Sequence, residues 1–182
     1  MKEFWLPIAG FEGFYAASDM GRVKSIARQV PRGDGFLTVK GRVLRPGIMT
    51  VGYPLVVLRR DGKAFPKTVH SLVLSAFVPK PSPRHEVDHI NRVRDDNRLV
   101  NLRWATRSQN NGNSAGRPSR ASSYRGVTPD GDRWVAQMGG RGGHLYLGAY
   151  DTEEEAAEAW DRAAKARFGE FAYQNFPEGV AP

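Results

Sequence analysis

An aspartate followed directly by a histidine, Asp88-His89, stands near the end of Glu86–Ile90, a run that alternates polar and apolar residues. Asn101 follows twelve residues after His89, and Asn110 nine residues after that. A carboxylate can hold a hard cation, and an imidazole can take a proton from water. With two carboxamides at this spacing, the set suits metal-assisted hydrolysis of a phosphodiester. Taken singly, each residue reads as surface polarity or turn chemistry. Their joint spacing carries the reading.

The elements that would position these groups can be read from the same stretch. Glu86 to Ile90 has the pattern of a half-buried strand. Asp95, Asp96 and Asn97 suit a loop, and Leu102, Trp104 and Ala105 fit a second strand. Thr106-Arg107-Ser108-Gln109 has the form of a capping box, so a helix should begin at Arg107 and carry Asn110 on its first turn. Such a β-β-α unit would bring the end of the first strand and the first helical turn together. Asp88 and Asn110 would then grip one metal ion between them.

Further out, the chain of 182 residues has room for one medium domain or two to three small ones. It contains no cysteine, which excludes disulfides and thiolate zinc sites and suits a reducing compartment. No apolar run approaches membrane-spanning length, and MKEFWLPIAG lacks the apolar core of a secretion signal, so an intracellular, cytoplasmic protein with no membrane partner is expected. The net charge is +8 and the pI about 10.0. Residues 1–120 hold 21 Lys+Arg against 9 Asp+Glu, whereas residues 121–182 hold 6 against 10. A positive excess of this kind points to a polyanion, nucleic acid first.

Composition divides the chain into segments. Residues 1–68 carry short alternating runs, among them RVKSI and YPLVVLRR, and the turn Asp61-Gly62, and read as a small antiparallel β unit. Residues 69–113 read as a helix (HSLVLSAF), strand, polar loop, strand and helix. Residues 114–121, SAGRPSRA, have linker composition. Residues 122–182 read as three strands and an amphipathic helix. The expected fold class is α+β.

The pattern V-D-H-I-N, then N-R-L-V-N-L-R-W-A-T, then Q-N resembles an HNH nuclease of the homing-endonuclease type. The resemblance implies a ββα-metal fold with one divalent cation, His89 as general base, and Asp88 and Asn110 as metal ligands. It makes Asn101 the residue that steadies the loop and the histidine. A carboxamide ligand points to Mg²⁺ or Mn²⁺ rather than zinc. His70 also matches the family pattern, as a fold-supporting or phosphate-contacting residue. His85 reads as a surface residue of a Pro-rich loop.

The N-terminal stretch WLPIAGFEGFYAASDMGRVKSI resembles the nuclease-associated modular domain found ahead of such units. Trp5, Phe11, Phe14 and Tyr15 read as core aromatics, and Arg22, Lys24 and Arg28 as phosphate contacts, which position a protein without reading bases. The C-terminal stretch, from SSYRGVTPDGDRWVAQM to NFP, resembles the Apetala/ethylene-response-factor DNA-binding domain. That resemblance implies a three-stranded sheet that reads the major groove, with one helix behind it. Ala156, Ala157, Trp160, Ala163, Ala164 and Phe168 form the expected buried stripe. The sheet candidates are Arg125, Arg133, Trp134 and Arg141, with His144 and Tyr146 weaker. Gln137, Met138 and Gly139 stand where that family commonly has an Arg.

The expected function is therefore a metal-dependent DNA endonuclease that acts as a monomer on double-stranded DNA, nicks it to leave a 5′ phosphate, and has no protein partner. Two other classes of function are open to the sequence. One is a DNA-binding regulator with an inactive nuclease centre, which the intact Asp88–His89–Asn101–Asn110 set disfavours. The other is an RNA-binding protein, which would need exposed stacking aromatics where most aromatics read as core.

Overall fold

Gly and Pro cut the apolar runs of the N-terminal half into short pieces, and short strands result. The computed structural model describes residues 2–116, 121–140 and 143–177. In chain order the strands are β1 (Trp5–Pro7), β2 (Tyr15–Ser18), β3 (Val23–Ser25), β4 (Arg28–Arg32), β5 (Gly35–Val39), β6 (Arg42–Val43), β7 (Gly47–Ile48), β8 (Pro54–Arg60) and β9 (Lys63–Thr68). Helix α1 (Val69–Phe77) follows, then β10 (Glu86–His89), a 3₁₀ turn at Leu99–Asn101, β11 (Leu102–Ala105) and α2 (Arg107–Gly112). The C-terminal part holds β12 (Val127–Asp130), β13 (Arg133–Gly140), β14 (Gly143–Tyr150), α3 (Glu153–Phe168) and a 3₁₀ turn at Gly169–Phe171. The class is α+β, built from several small antiparallel sheets.

The chain divides into two compact units, Met1–Thr106 and Arg107–Pro182. In the first, strands β1, β2, β3 and β6 form one sheet, β7, β8 and β9 a second, and the ribbons β4–β5 and β10–β11 stand as separate pairs. The Asp61-Gly62 turn joins β8 to β9 with positive φ at both residues, 52° and 73°, as a two-residue hairpin turn of matching twist requires. One apolar core ties these pieces together. It joins Phe11 of the β1–β2 turn, Tyr15 of β2 and Leu58 of β8 to Val69 and Val73 of α1 and Leu102 of β11.

Residues 1–68 and the ribbon that carries Asp88 thus share a core, and β9 runs into α1 without a linker. The expected 69–113 unit is divided before α2. The ribbon and its loop hold too few apolar residues to bury a core alone, and with no cysteine no zinc staples them. Of the expected linker, residues 117–120 lie outside the described residues.

In the second unit, β12, β13 and β14 form a sheet in that order, with α3 packed on one face. The helix starts at a capping box, Thr152 with Glu155, and ends at Gly169 with φ 57°. Ala156, Ala157, Trp160 and Ala164 are buried as expected, while Ala163 and Phe168 pack at the edge of that core. Asp161 is buried as well. Its carboxylate accepts the backbone N–H groups of Asn175 and Phe176 at 2.8 and 2.9 Å. Burial raises its pKa. Asn175 in turn exchanges hydrogen bonds with the backbone of Arg125. The NFP segment is therefore a latch between α3 and the residues that lead into β12. Gly126, at φ 77°, has to be glycine, because a Cβ there would stand 2.0 Å from the Trp160 ring.

Candidate catalytic centre and nucleic-acid surfaces

Asp88 and His89 end β10, and both are buried, at 3% and 6% exposure. Antiparallel pairing sets Asp88 opposite Arg103 and His89 opposite Leu102. Arg103 Nε donates to Asp88 Oδ2 at 2.8 Å. His89 Nε2 lies 3.2 Å from Asn97 Oδ1. A carboxamide oxygen only accepts, so this contact places the proton on Nε2 and leaves Nδ1 as the basic nitrogen. Burial lowers the His89 pKa, against the opposing pull of the Asn97 bond and the Asp88 charge. That shift favours the neutral ring, the form in which an imidazole can accept a proton.

Asn101 braces the loop between the two strands. Its Oδ1 accepts from Asn91 N at 2.9 Å, and its Nδ2 donates to Asn91 Oδ1 and to Asp96 O at 2.9 and 2.8 Å. Asp96 is gripped in a fork by Arg98 Nε and Nη2, both at 2.7 Å. Those bonds hold its carboxyl down at about 2. Arg92, in the same loop, takes φ 64°, a costly conformation for a long side chain. Gly21, at φ 80°, lies against the loop: a Cβ there would meet the carbonyl carbon of Asn97 at 2.7 Å. Asp19 O accepts Leu99 N at 2.8 Å, so the β2–β3 turn buttresses the loop between β10 and β11.

Two residues beyond the expected set complete this cluster. The rings of Tyr53, His70 and His89 meet in pairs, with centroids 4.9 to 5.8 Å apart. His70 Nε2 contacts Thr68 Oγ1 at 3.1 Å, while burial pushes its pKa down to about 4. His70 is thus a neutral packing neighbour of His89. His85 bonds Ser82 within its own turn. The sequence reading missed Asn97, which it took only as a loop residue, and Tyr53, which carries no motif.

Among the described residues, no group of three or more His, Asp or Glu side chains could hold a metal ion. Asp88 is a hard-oxygen donor whose buried charge already attracts a cationic partner. Such a donor set fits an oxygen-ligated cation that completes its shell from water and substrate, and does not fit a caged zinc. Asn110 lies in α2, within the second unit. There, α2 is fastened at its C-terminal end. Arg125 donates to Asn111 O, Gly112 O and Ser114 O, and Tyr173 N donates to Gly112 O at 3.0 Å. Gly112 presses against the Phe168 ring, which a Cβ would meet at 2.8 Å.

Arg125, expected as a DNA contact, is engaged within its own unit in this structure. Its guanidinium is spent on three carbonyls and sits 4.7 Å over the Trp160 ring, and burial lowers its pKa. Trp134 shares the helix-facing side of the sheet, where it packs against the core with Ala136 and Ala156, because side chains two apart along β13 point the same way. Arg133 is exposed and reaches Ala149 O and Asp151. Gln137 pairs with Tyr146 and Gly139 with His144, so His144 and Tyr146 lie on the face away from α3. Arg141 lies outside the described residues.

In the first unit, Arg22 forks onto the Glu3 carboxylate, and Lys24 Nζ stands 4.2 Å over Trp5. Arg28 lies over Phe14 at the base of the β4–β5 ribbon. That ribbon forms a sheet of its own, with no buried residue along either strand. Phe36, near its tip and opposite Pro31, is 72% exposed. Arg28, Arg32, Lys40 and Arg42 lie along or just beyond it.

A two-stranded ribbon that buries an Asp-His pair at its end, spanned by an amide-braced loop, defines the class of a ββα-type nuclease centre. Residues 67–112 match the HNH endonuclease family, and residues 3–59 match the NUMOD4 motif. The chain therefore carries an HNH endonuclease domain preceded by a NUMOD4 motif. It is 33% identical over 106 residues to DNA endonuclease I-HmuI of Bacillus phage SP01, covering 58% of this chain and 54% of that protein. The solved structure of DNA binding and cleavage by the HNH homing endonuclease I-HmuI superimposes with a TM-score of 0.50 at 33% identity, over 60% of this chain and 56% of that one. The C-terminal part is similar to plant proteins: dehydration-responsive element-binding protein 2A of Arabidopsis thaliana is 45% identical over 62 residues, 32% of this chain and 18% of that protein. The chain thus spans about half the length of the phage nuclease and less than a fifth of the plant protein. No helix among the described residues is long and apolar enough to cross a membrane.

Proposed function

We propose that this chain is a metal-dependent DNA endonuclease of the HNH homing type, which hydrolyses a phosphodiester in duplex DNA and nicks one strand as a monomer inside the cell. The observation that carries the reading is the buried Asp88–His89 pair with His89 Nε2 pinned by Asn97. In this reading His89 Nδ1 takes the proton of the attacking water. Asn97 fixes the tautomer, and Asn101 holds the loop that carries Asn97. A Mg²⁺ or Mn²⁺ ion, held by Asp88 with Asn110 as the second protein ligand, would supply Lewis-acid stabilisation of the charge that builds on the phosphate and the departing 3′ oxygen. The product would keep a 5′ phosphate. Asn110 rests on its place in the sequence pattern.

Charge and shape support duplex DNA as the partner. The exposed β4–β5 ribbon has the width that the major groove admits, and its arginines suit phosphates and guanine edges. Arg28 fits that surface better than Arg22, whose guanidinium Glu3 already occupies; Lys24, stacked on Trp5, suits a phosphate at the same edge. In the second unit we assign the DNA face to Arg133, Gln137, His144 and Tyr146, with Arg141 the remaining candidate.

A supercoiled-plasmid time course tests the activity. Nicked circles should accumulate with Mg²⁺ and not with EDTA. His89→Ala should slow nicking by roughly 10²–10⁴-fold while leaving DNA affinity, measured by gel shift, nearly unchanged. Equal loss of binding and cleavage would make His89 structural. Linear product without a nicked intermediate would remove the monomeric nickase.

A further inference from the structure

A carboxylate taken out of water needs a counter-charge. Sheet register supplies one to Asp88, because Arg103 stands directly across the β10–β11 ribbon and its Nε donates to Oδ2 at 2.8 Å. Both partners are withdrawn from solvent, with side-chain exposures of 15% for Arg103 and 4% for Asp88. Salt and water weaken a surface pair of this kind, but they reach this one poorly. A divalent cation arriving at Asp88 therefore meets a carboxylate whose charge is already partly answered. It also places two positive charges beside a third in a site of reduced polarity.

We propose that Arg103 is the resident counter-ion of Asp88: it holds the carboxylate oriented in the metal-free protein, and it keeps metal affinity low until DNA is bound. The inference rests on the reading of Asp88 as a metal ligand. Arg103 acts through Asp88 and is a positioning residue. Phosphate oxygens entering the cation's shell bring negative charge that offsets the guanidinium. Cation and DNA should therefore bind with positive coupling, each strengthening the other by the same factor.

The test is Mn²⁺ binding to the full chain, read from the electron-spin signal of free Mn²⁺, with and without a DNA duplex. Arg103→Met should bind Mn²⁺ about tenfold or more tightly than wild type in the absence of DNA, and the gain from adding DNA should shrink. Arg103→Lys, which keeps the charge, should stay near wild type. Arg103→Met binding no more tightly than wild type would overturn the proposal. Should Arg103→Met fail to fold, wild type decides. The Arg103 Nε–H resonance should be protected from exchange without metal and lose that protection when Mg²⁺ saturates the DNA complex. Full protection at saturation would refute the idea. Asp88→Asn separates the two levels. Unchanged Mn²⁺ affinity in Asp88→Asn would defeat the ligand reading itself. Lost affinity in Asp88→Asn with no gain in Arg103→Met would defeat only the role of Arg103.

Discussion

The proposed role of His89 as a base rests on what surrounds it, and each surrounding contact costs something elsewhere. Burial that keeps the ring neutral also removes it from water, so its Nε2 needs Asn97, and Asn97 needs a loop that keeps its place. Asp96 is part of that loop's own scaffold. The Arg98 fork holds its carboxyl at about 2, below the ordinary 3.8. A carboxyl depressed on folding adds stability that is fully present above about 3.8 and is lost as pH falls toward about 2. Wild type should therefore lose its Tm advantage over Asp96→Asn across that interval and keep it unchanged above pH 5. A Tm difference that is flat across the interval would mean the fork adds nothing in solution. The sequence made Asp88, His89 and Asn101 legible because their chemistry is unusual at that spacing. Asn97 was not legible, because an amide in an Asp-Asp-Asn run looks like any turn. The carbonyl contacts of Arg125 were not legible either: an arginine in a DNA-binding pattern reads as a phosphate or base contact, and its backbone partners lie far along the chain.

At the scale of elements, the strands and helices of the site were readable, and their partners were not. Alternation and the Thr106–Gln109 pattern placed β10, β11 and the start of α2 at Arg107. Periodicity is local, however, and the sharing of one core by Tyr15, Val69 and Leu102 is not. The β2–β3 turn shows the consequence. Gly21 abuts the Asn97 backbone, and a methyl group there would also have to bear positive φ. Gly21→Ala should destabilise the fold by about 1–3 kcal/mol and slow cleavage without altering the metal requirement. Denaturant unfolding and plasmid nicking check the two halves of that statement, and a silent substitution would detach the turn from the loop. The β4–β5 ribbon makes a separate prediction, since no core residue depends on it. Replacing Arg28 and Arg32 by Ala should leave Tm nearly unchanged, weaken DNA binding, and reduce the slope of log affinity against log salt by about one for each lost phosphate contact. An unchanged slope would place the phosphate contacts elsewhere.

For the whole molecule, linker composition at Ser114–Ala121 would by itself predict that the C-terminal unit can be removed to leave a nuclease behind. The division of the chain argues otherwise. Helix α2, which bears Asn110, belongs with the C-terminal unit, held by the Arg125 clamp, the Phe168 contact and the Tyr173 bond. A six-residue helix has no stability of its own, so its order depends on those partners. Truncation after Pro118 removes all of them. The shortened chain should keep the fold of its first unit, whose core is complete without α2, yet lose Mg²⁺-dependent nicking even at low salt, where phosphate contacts alone secure DNA. Arg125→Ala in the full chain should weaken nicking in the same direction and more mildly, because Phe168 and Tyr173 remain, whereas Arg133→Ala should change DNA affinity and spare the rate at saturating DNA. Nicking rates at saturating DNA, with circular dichroism to follow the fold, distinguish these outcomes. A truncated chain that nicks at the wild-type rate would show that α2 orders itself against the first unit alone, and the C-terminal module would then serve recognition only.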